Sequence, residues 1–315
     1  MGRCCAKLKP SYRKPGRRGT GSGCCQSAEN QPLSINARKP AHAVSGKFKT
    51  IAPSDRGEED LSASAGLGAR SVLITGGSRG IGRAACLLSA RQGWSVGVNY
   101  LRDETSANAV VAEIEQAGGK AVALRGDVAR EDDVIAMFEA ATKAFGSLDG
   151  VVVNAGIAAP NSRLIDMTVE RMRNVFEVNI LGAFVCAREA ARRMNKSLGG
   201  RGGSIVLISS VAARIGAPDT YVDYAASKAA VDALALGLSK ELGREGVRVN
   251  SIRPGVIETE IHATYGDADR PYKIGATVPL GRPGKADEIA ETIVWLLSDR
   301  SSYVTGAIID VTGGR

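Results

Sequence analysis

The chain has 315 residues, with 41 Lys and Arg against 33 Asp and Glu, a formal charge of +8. The excess sits in residues 1–57, which carry twelve basic side chains and two acids (Glu29 and Asp55), while residues 58–315 carry 29 basic and 31 acidic. A folded surface built to grip nucleic acid is therefore excluded, and no uninterrupted apolar run reaches the roughly 18 residues that a membrane-spanning helix needs.

Residues 1–68 lack hydrophobic periodicity and are rich in Gly, Ser, Pro, Lys and Arg. Such a segment cannot bury enough apolar surface to offset its ordering entropy, so a disordered basic extension is expected. The tail is Arg-rich and acid-poor, as transit peptides are, but Pro and Gly interrupt any amphipathic helix. Gly2 with Cys4 and Cys5 suggests acylation, yet Ala6 takes the Ser/Thr place of the myristoylation pattern. A passive extension is preferred over a tether to a membrane surface or nucleic acid. No apolar segment near Met1 suggests a secretory signal. Four of the six cysteines form adjacent pairs, Cys4–Cys5 and Cys24–Cys25, unlike zinc spacing. Only Cys86 and Cys186 lie further on, and a reducing, cytoplasmic location is expected.

Residues 69–315 are expected to form one domain with a single large core. Apolar runs predict strands at 71–75, 95–99, 121–125, 150–153, 204–209, 248–252 and 307–310. Most are unbroken, as in a parallel sheet covered on both faces. Helical patterns lie between them at 81–92, 104–117, 131–145, 169–195, 224–242 and 286–297. Gly93, Gly118, Gly119 and Gly146 stand at expected helix ends. The alternation implies an α/β fold: a doubly wound, parallel, seven-stranded Rossmann-like sheet with helices on both faces.

The first strand runs into Thr75-Gly76-Gly77-Ser78-Arg79-Gly80-Ile81-Gly82. Gly76 permits a tight turn, Gly80 lets backbone approach a pyrophosphate, and Gly82 is read as allowing close helix–sheet packing. The following helix start offers free N–H groups to phosphate. After the second strand, Tyr100 occupies the position where an acid would hold a ribose hydroxyl. Arg79 and Arg102 suit a 2′-phosphate, because the guanidinium fork bonds phosphate oxygens in pairs. NADP(H) is therefore favoured and NAD(H) remains possible. Asp103 is read as the N-cap of the next helix or as a ribose contact.

Thr-Gly-x-x-x-Gly-Ile-Gly resembles the cofactor motif of the short-chain dehydrogenase/reductase family. The resemblance extends over about residues 70–315. It implies that Asp127 and Val128 contact adenine. Asn154-Ala155-Gly156 is similar to the family's Asn-Asn-Ala-Gly element, with Val153 replacing the first Asn. Pro254-Gly255, Ile257 and Thr259 match the nicotinamide-binding stretch, and Thr305-Gly306 and Gly313-Gly314 the C-terminal pattern. The glucose 1-dehydrogenase-like and 3-oxoacyl-carrier-protein reductase branches look most similar.

Tyr224 and Lys228, four apart, share one helix face. A nearby ammonium and a positive nicotinamide ring favour the phenolate, moving tyrosine toward a working acid–base pKa. In the family this pair is catalytic, and Lys228 also holds the nicotinamide ribose. By the same resemblance Ser210 bonds the substrate oxygen, although Ser209 competes for that role. Ser210 lies 14 residues before Tyr224, one more than the commonest family spacing, and the extra residue is placed at 217–222. Asn179 sits inside a long apolar helix, where its amide must be used. The resemblance makes it the holder of a water that links Lys228 to solvent.

These residues imply hydride transfer between a nicotinamide and an alcohol/carbonyl pair of a small-molecule substrate, a sugar or a 3-oxoacyl thioester, with no metal. The alternative is a catalytically silent cofactor-binding regulatory or scaffold protein of the same fold. Residues 260–280 resemble a mobile substrate lid. Arg163, Arg171, Arg173, Arg192 and Arg193 are candidates for docking a carrier protein. Small residues recur along 224–242 (Ala225, Ala229, Ala233 and Gly237, with Ala226, Ala230 and Leu234 alongside). They imply close helix pairing in a homo-oligomer, a dimer or tetramer.

Overall fold

A computed structural model describes residues 70–260 and 269–315. The expected basic extension, both histidines (His42 and His262) and residues 261–268 of the expected lid lie outside the described residues. Seven parallel strands form one sheet in the order β3-β2-β1-β4-β5-β6-β9. They are β1 (Ser71–Ile74), β2 (Ser95–Tyr100), β3 (Ala121–Arg125), β4 (Gly150–Val153), β5 (Gly203–Ile208), β6 (Val247–Pro254) and β9 (Ile308–Val311). A separate two-stranded pair joins β7 (Ile257–Glu258) to β8 (Gly284–Lys285).

The unbroken apolar strands are buried on both faces. Val72, Ile74, Val96, Val98, Val152, Val206 and Ile252 pack with α1 (Gly80–Arg91), α2 (Glu104–Gln116) and α9 (Ala286–Leu297). Alternate residues Leu73, Val151, Val153, Ile205, Leu207 and Val249 turn to α3 (Glu131–Phe145), α5 (Ala183–Met194) and α7 (Val222–Leu242). This is the period-two alternation of a strand, with both sides covered.

The structure corrects the sequence reading at 169–195, where a single helix was expected. Instead α4 (Val169–Phe176) passes through a π turn, Glu177–Gly182, into α5. Asn179 lies in that turn, and its paired side-chain amide accompanies the wider winding. Two short helices were also unforeseen: α6 (Ala212–Ile215) and α8 (Arg270–Gly275). Each spans one or two turns, too short to register as a hydrophobic period.

The sheet order changes direction between β1 and β4. In doubly wound sheets, ligands bind at that switch point, beyond the carboxyl ends of the strands.

Candidate active site

Beyond β1 the chain turns through 75–79 before α1. Gly76 (φ +64°) and Gly80 (φ +53°) adopt the left-handed region, where a Cβ is costly. A Cβ on Gly82 would stand 2.1 Å from the Gly76 carbonyl oxygen and 2.7 Å from Asn154 Nδ2. Gly82 is thus required where the start of α1 lies against the loop backbone and against Asn154 just beyond β4.

Thr75 is buried, and its Oγ1 accepts from the N–H groups of Asn154 (2.9 Å) and Ala155 (3.0 Å). Asn154 Nδ2 donates in return to the carbonyls of Thr75 (2.9 Å) and Gly76 (3.2 Å). These bonds clasp the ends of β1 and β4. Val153, where the family motif has Asn, is buried in the apolar core.

Sequence reasoning missed Asn99. Its Oδ1 accepts from Gly76 N–H (3.0 Å), and its Nδ2 donates to the carbonyls of Leu124 and Gly126 (3.1 Å each). Its own carbonyl accepts from Gly77 N–H (2.8 Å). A lone amide in a buried apolar strand was the available signal, since such a group must be paired.

These contacts leave the opening N–H groups of α1, at Gly80, Ile81 and Gly82, without a carbonyl partner among the described residues. Ser78 is half-buried beside them and Arg79 is exposed. The Thr259 methyl reaches over Gly80, where a Cβ would meet it at 3.4 Å. Thr259 arrives from the end of β6 through Pro254, Gly255 and Ile257. Gly255 is packed so closely that a Cβ would lie 2.7 Å from Thr312 Cα. Free N–H groups, left-handed glycines and an overlying threonine fit a dinucleotide pyrophosphate.

At the end of β2 the Tyr100 ring is only 7% exposed and belongs to the core. Burial and a bond to the Glu104 carboxylate push its phenol pKa upward. Its side chain is therefore turned inward rather than toward a ribose. Asp103 caps α2, accepting from Ser106 N–H (2.9 Å) and Oγ (2.7 Å). These bonds, helped by the nearby Arg79 cation, hold its carboxyl below the usual range. Arg79 lies 3.9 Å from Glu260, and Arg102 is exposed without an ion pair among the described residues.

After β3, Asp127 Oδ1 accepts from Ala129 N–H (2.9 Å), and Asp127 N–H donates to Asp133 Oδ2 (3.0 Å). Val128 is buried, its carbonyl so close to Gly182 of the π turn that a Cβ there would stand 2.9 Å away.

Tyr224 and Lys228 lie in α7. Lys228 is buried, with Nζ 5.7 Å from the Tyr224 ring centroid and donating to the Ile208 carbonyl (2.9 Å). Burial lowers its pKa to about 8, against the opposing pull of the Asp232 carboxylate. Burial also raises the Tyr224 phenol to about 12, with only a bond from the Ser210 hydroxyl acting downward. In the protein alone burial outweighs any lowering of the Tyr224 phenol by the ammonium. Protein groups thus hold Tyr224 as a neutral acid, the form that donates a proton.

Ser210, just beyond the end of β5, lies near enough to the Tyr224 hydroxyl to lower its pKa and accepts from Ala212 N–H (3.1 Å), while Ser209 is buried and donates to the Lys228 carbonyl (2.9 Å). The loop between Ser210 and Tyr224 holds Ala217 (φ +46°) and Asp219 (φ +58°) in the left-handed region.

Asn179 is buried. Its Oδ1 accepts from Ile157 N–H (2.8 Å), and its Nδ2 donates to the Ile157 carbonyl (2.7 Å) and Ser227 Oγ (3.0 Å). Both amide hydrogens are engaged, which leaves oxygen acceptors to hold a water. Gly156 faces this cluster: a Cβ would lie 3.1 Å from Lys228 Nζ and 3.2 Å from Asn179 Oδ1. Asn179, Ser210, Tyr224 and Lys228 therefore converge beside the glycine cradle.

Also missed was a buried ion pair that holds this helix start. Arg171 Nε donates to Asp223 Oδ2 (2.8 Å), Nη2 lies 3.3 Å from Oδ1, and Nη1 donates to the Pro160 carbonyl. Arg171 is therefore not free to dock a carrier protein. Arg163 pairs with Asp219, while Arg192 and Arg193 bond the buried Glu189. Arg192 and Arg193 border a cavity of about 770 Å³ at the opposite, amino ends of the strands, also lined by Lys120 and Arg201.

Known proteins are similar to this chain over the described domain. A family profile described as enoyl-(acyl carrier protein) reductase matches residues 76–315. The chain is 49% identical over 244 residues to YgfF of Escherichia coli K12, named an uncharacterised oxidoreductase, covering 78% of this chain and 99% of that protein. It is 40% identical over 246 residues to an L-rhamnose 1-dehydrogenase (NAD(P)(+)) of Sphingomonas sp. SKA58, covering 78% and 95%. A dehydrogenase/reductase crystal structure from Sinorhizobium meliloti 1021 superposes with a TM-score of 0.73 at 35% identity, covering 79% and 95%.

Proposed function

The chain belongs to the short-chain dehydrogenase/reductase family of oxidoreductases acting on CH–OH donors, and from that premise we propose that it uses NADP(H) in preference to NAD(H), with Tyr224 as its proton donor. The observation that carries this reading is the meeting of the Ser210–Tyr224 hydroxyl pair with Lys228 and Asn179 beside the cradle.

A bound nicotinamide coenzyme supplies the hydride in reduction and accepts it in oxidation. Gly76, Ser78, Arg79, Gly80, Ile81 and Gly82 would hold its pyrophosphate. Asp127 and Val128 would hold adenine, Asn154, Ala155 and Gly156 the central segment, and Pro254, Gly255, Ile257 and Thr259 the nicotinamide end. Arg79 and Arg102 favour a 2′-phosphate. Asp103 is occupied by its capping bonds, and Glu104, the next acid after β2, faces the Tyr100 phenol, so neither is presented as a free partner for a ribose diol. Tyr100, being core-packed, is assigned only a supporting place there.

Ser210 and Tyr224 polarise the substrate oxygen, and Tyr224 gives it a proton as the carbonyl becomes an alcohol. Lys228 would also hold the nicotinamide ribose. With its pKa drawn to about 8, it carries a proton near neutrality and releases it readily, which suits resupply of Tyr224. A water on an Asn179 oxygen would continue that path. The reverse reaction uses the same groups with Tyr224 as base.

The domain is taken as residues 69–315 and a cytoplasmic location is inferred, supported by the free, buried thiols of Cys86 and Cys186. A homo-oligomer is supported by the exposed apolar side chains of Val169, Leu181, Phe184 and Leu236. Of the small-residue rows in α7, Ala225 is buried, whereas Ala226, Ala229, Ala233 and Gly237 are exposed and suit close helix approach. The substrate is a small carbonyl or alcohol.

A panel of sugars, 3-oxoacyl thioesters, ketones and secondary alcohols, assayed with NADPH/NADP and NADH/NAD by nicotinamide absorbance, tests the reading. Turnover with at least one member, higher kcat/KM with the phosphorylated coenzyme and loss on Tyr224→Phe are expected. Turnover unaffected by Tyr224→Phe overturns the proton-donor assignment.

A further inference from the structure

Tyr221 precedes α7 and meets Tyr224 edge-on, with ring centroids 5.4 Å apart and planes at 86°. Arg270, the first residue of α8, places its guanidinium carbon 5.2 Å from the Tyr221 ring centroid and donates from Nη2 to the Tyr221 hydroxyl (2.9 Å). Cation, ring and proton donor thus form a contiguous array. Three arginines on flanking segments are neutralised: Arg163 by Asp219 (3.6 Å), Arg171 by Asp223 (2.8 Å) and Arg214 by Asp310 (3.4 Å). Arg270 is half-buried and has no carboxylate partner among the described residues.

A partly desolvated cation that the described residues leave without a carboxylate is costly, and the aromatic face offsets only part of that cost. The guanidinium has five N–H donors, of which the Tyr221 hydroxyl takes one. Anchoring through Tyr221 restricts the side chain beforehand, and the planar fork then matches a carboxylate with two parallel bonds.

We propose that Arg270, seated on Tyr221, is a specificity-determining residue that receives a carboxylate of the substrate, so that the preferred substrates are ketones or secondary alcohols bearing a carboxylate at the end remote from the reacting carbon. This rests on the oxidoreductase reading above and narrows its substrate class.

Glutarate and its dimethyl ester form a probe pair of matched carbon skeleton with and without charge. Their binding to the full chain is measured by calorimetry in the wild type and in the Arg270→Met, Arg270→Lys, Tyr221→Phe and Tyr224→Phe variants. Glutarate is expected to bind the wild type and Tyr224→Phe alike, and to bind Arg270→Met about ten- to a hundredfold more weakly, the loss of a charge-assisted pair. Arg270→Lys should fall between, and Tyr221→Phe, which keeps the stacked ring, should lose only severalfold. The diester should bind more weakly than glutarate to the wild type. Equal glutarate affinity in the wild type and Arg270→Met, or equal affinity for acid and ester, overturns the proposal. Carbonyl turnover that glutarate does not inhibit makes Arg270 only a tether for α8 and leaves the oxidoreductase reading standing. Arg270-dependent glutarate binding in a chain that turns over no carbonyl supports the carboxylate site and counts against that reading.

Discussion

Replacing Lys228 by Met should destroy turnover and yet stabilise the fold at neutral pH. The lysine pKa falls from 10.5 to about 8 on burial, so folding favours proton release from this group. Between those two values the unfolded chain binds the extra proton, and stability therefore rises with pH across that window; below about pH 8 the full penalty is present. The penalty amounts to about 3 kcal/mol at about pH 7 and falls to about 1 kcal/mol at about pH 9.5. Methionine avoids it but forfeits the bond from Nζ to the Ile208 carbonyl (2.9 Å), worth about 0.5–1.5 kcal/mol. The variant should thus be more stable by about 2 kcal/mol near pH 7 and nearly equal to wild type near pH 9.5. Urea unfolding of both proteins at the two pH values measures this. A stability difference that does not change with pH, or a variant weaker at both, would refute the claim that Lys228 is held partly against its charge.

Tyr224→Phe should abolish turnover with coenzyme affinity nearly unchanged, and Ser210→Ala should lower kcat by about 10²–10⁴. Ser209→Ala should instead cost about 1 kcal/mol of stability by removing its bond to the Lys228 carbonyl; a reversal of these two serine effects in steady-state kinetics would shift the assignment by one residue. Neutralising Arg79 and Arg102 together should raise KM for NADPH far more than for NADH, and equal rises would reduce them to surface charge. Gly82→Ala should destabilise by about 1–3 kcal/mol and weaken coenzyme binding, because the methyl meets the Gly76 carbonyl; unchanged coenzyme titration would contradict the cradle. Light scattering at micromolar concentration should give a multiple of the 32.8 kDa chain, and an active monomer would sink the oligomer.

The strands were legible because both faces of the sheet are covered, so each appears as a nearly unbroken apolar run. The expected strand at 150–153 and helix at 131–145 coincide with the observed bounds. The glycine spacing and the Tyr224–Lys228 interval were legible for a related reason: backbone conformation and helix pitch leave local traces. Asn99 left only a weak trace, because its partners come from two other segments of the chain, the turn at Gly76 and the end of β3. The π turn was hidden because one wider winding barely alters an apolar period, and the pairing of Asn179 with Ile157 is visible only once the π turn lies beside the segment after β4. The packing of the Tyr100 ring into the core was not legible, because a position along a strand does not give the direction of a side chain.

Tyr224 is held by more than the regularity of α7. Asp223, whose side chain is 1% exposed, accepts from the Tyr224 backbone N–H (2.9 Å) and is gripped by Arg171 from α4. Arg171 also bonds the Pro160 carbonyl in the segment after β4. One arginine therefore joins the beginning of α7, the helix leading into the π turn and the chain leaving the cradle. Asn179 makes a second tie between α7 and the segment after β4, through Ser227 and Ile157. Breaking a buried pair of this kind typically costs about 3–5 kcal/mol, because the remaining charge is left without compensation. Such a pair is a poor way to gain net stability, since desolvation consumes much of its Coulomb energy. Its placement, one residue before the proton donor and bonded to that residue's own N–H, is better explained by the orientation it gives to the first turn of α7. The hydroxyl of Tyr224 then meets Ser210 at a position set from two directions.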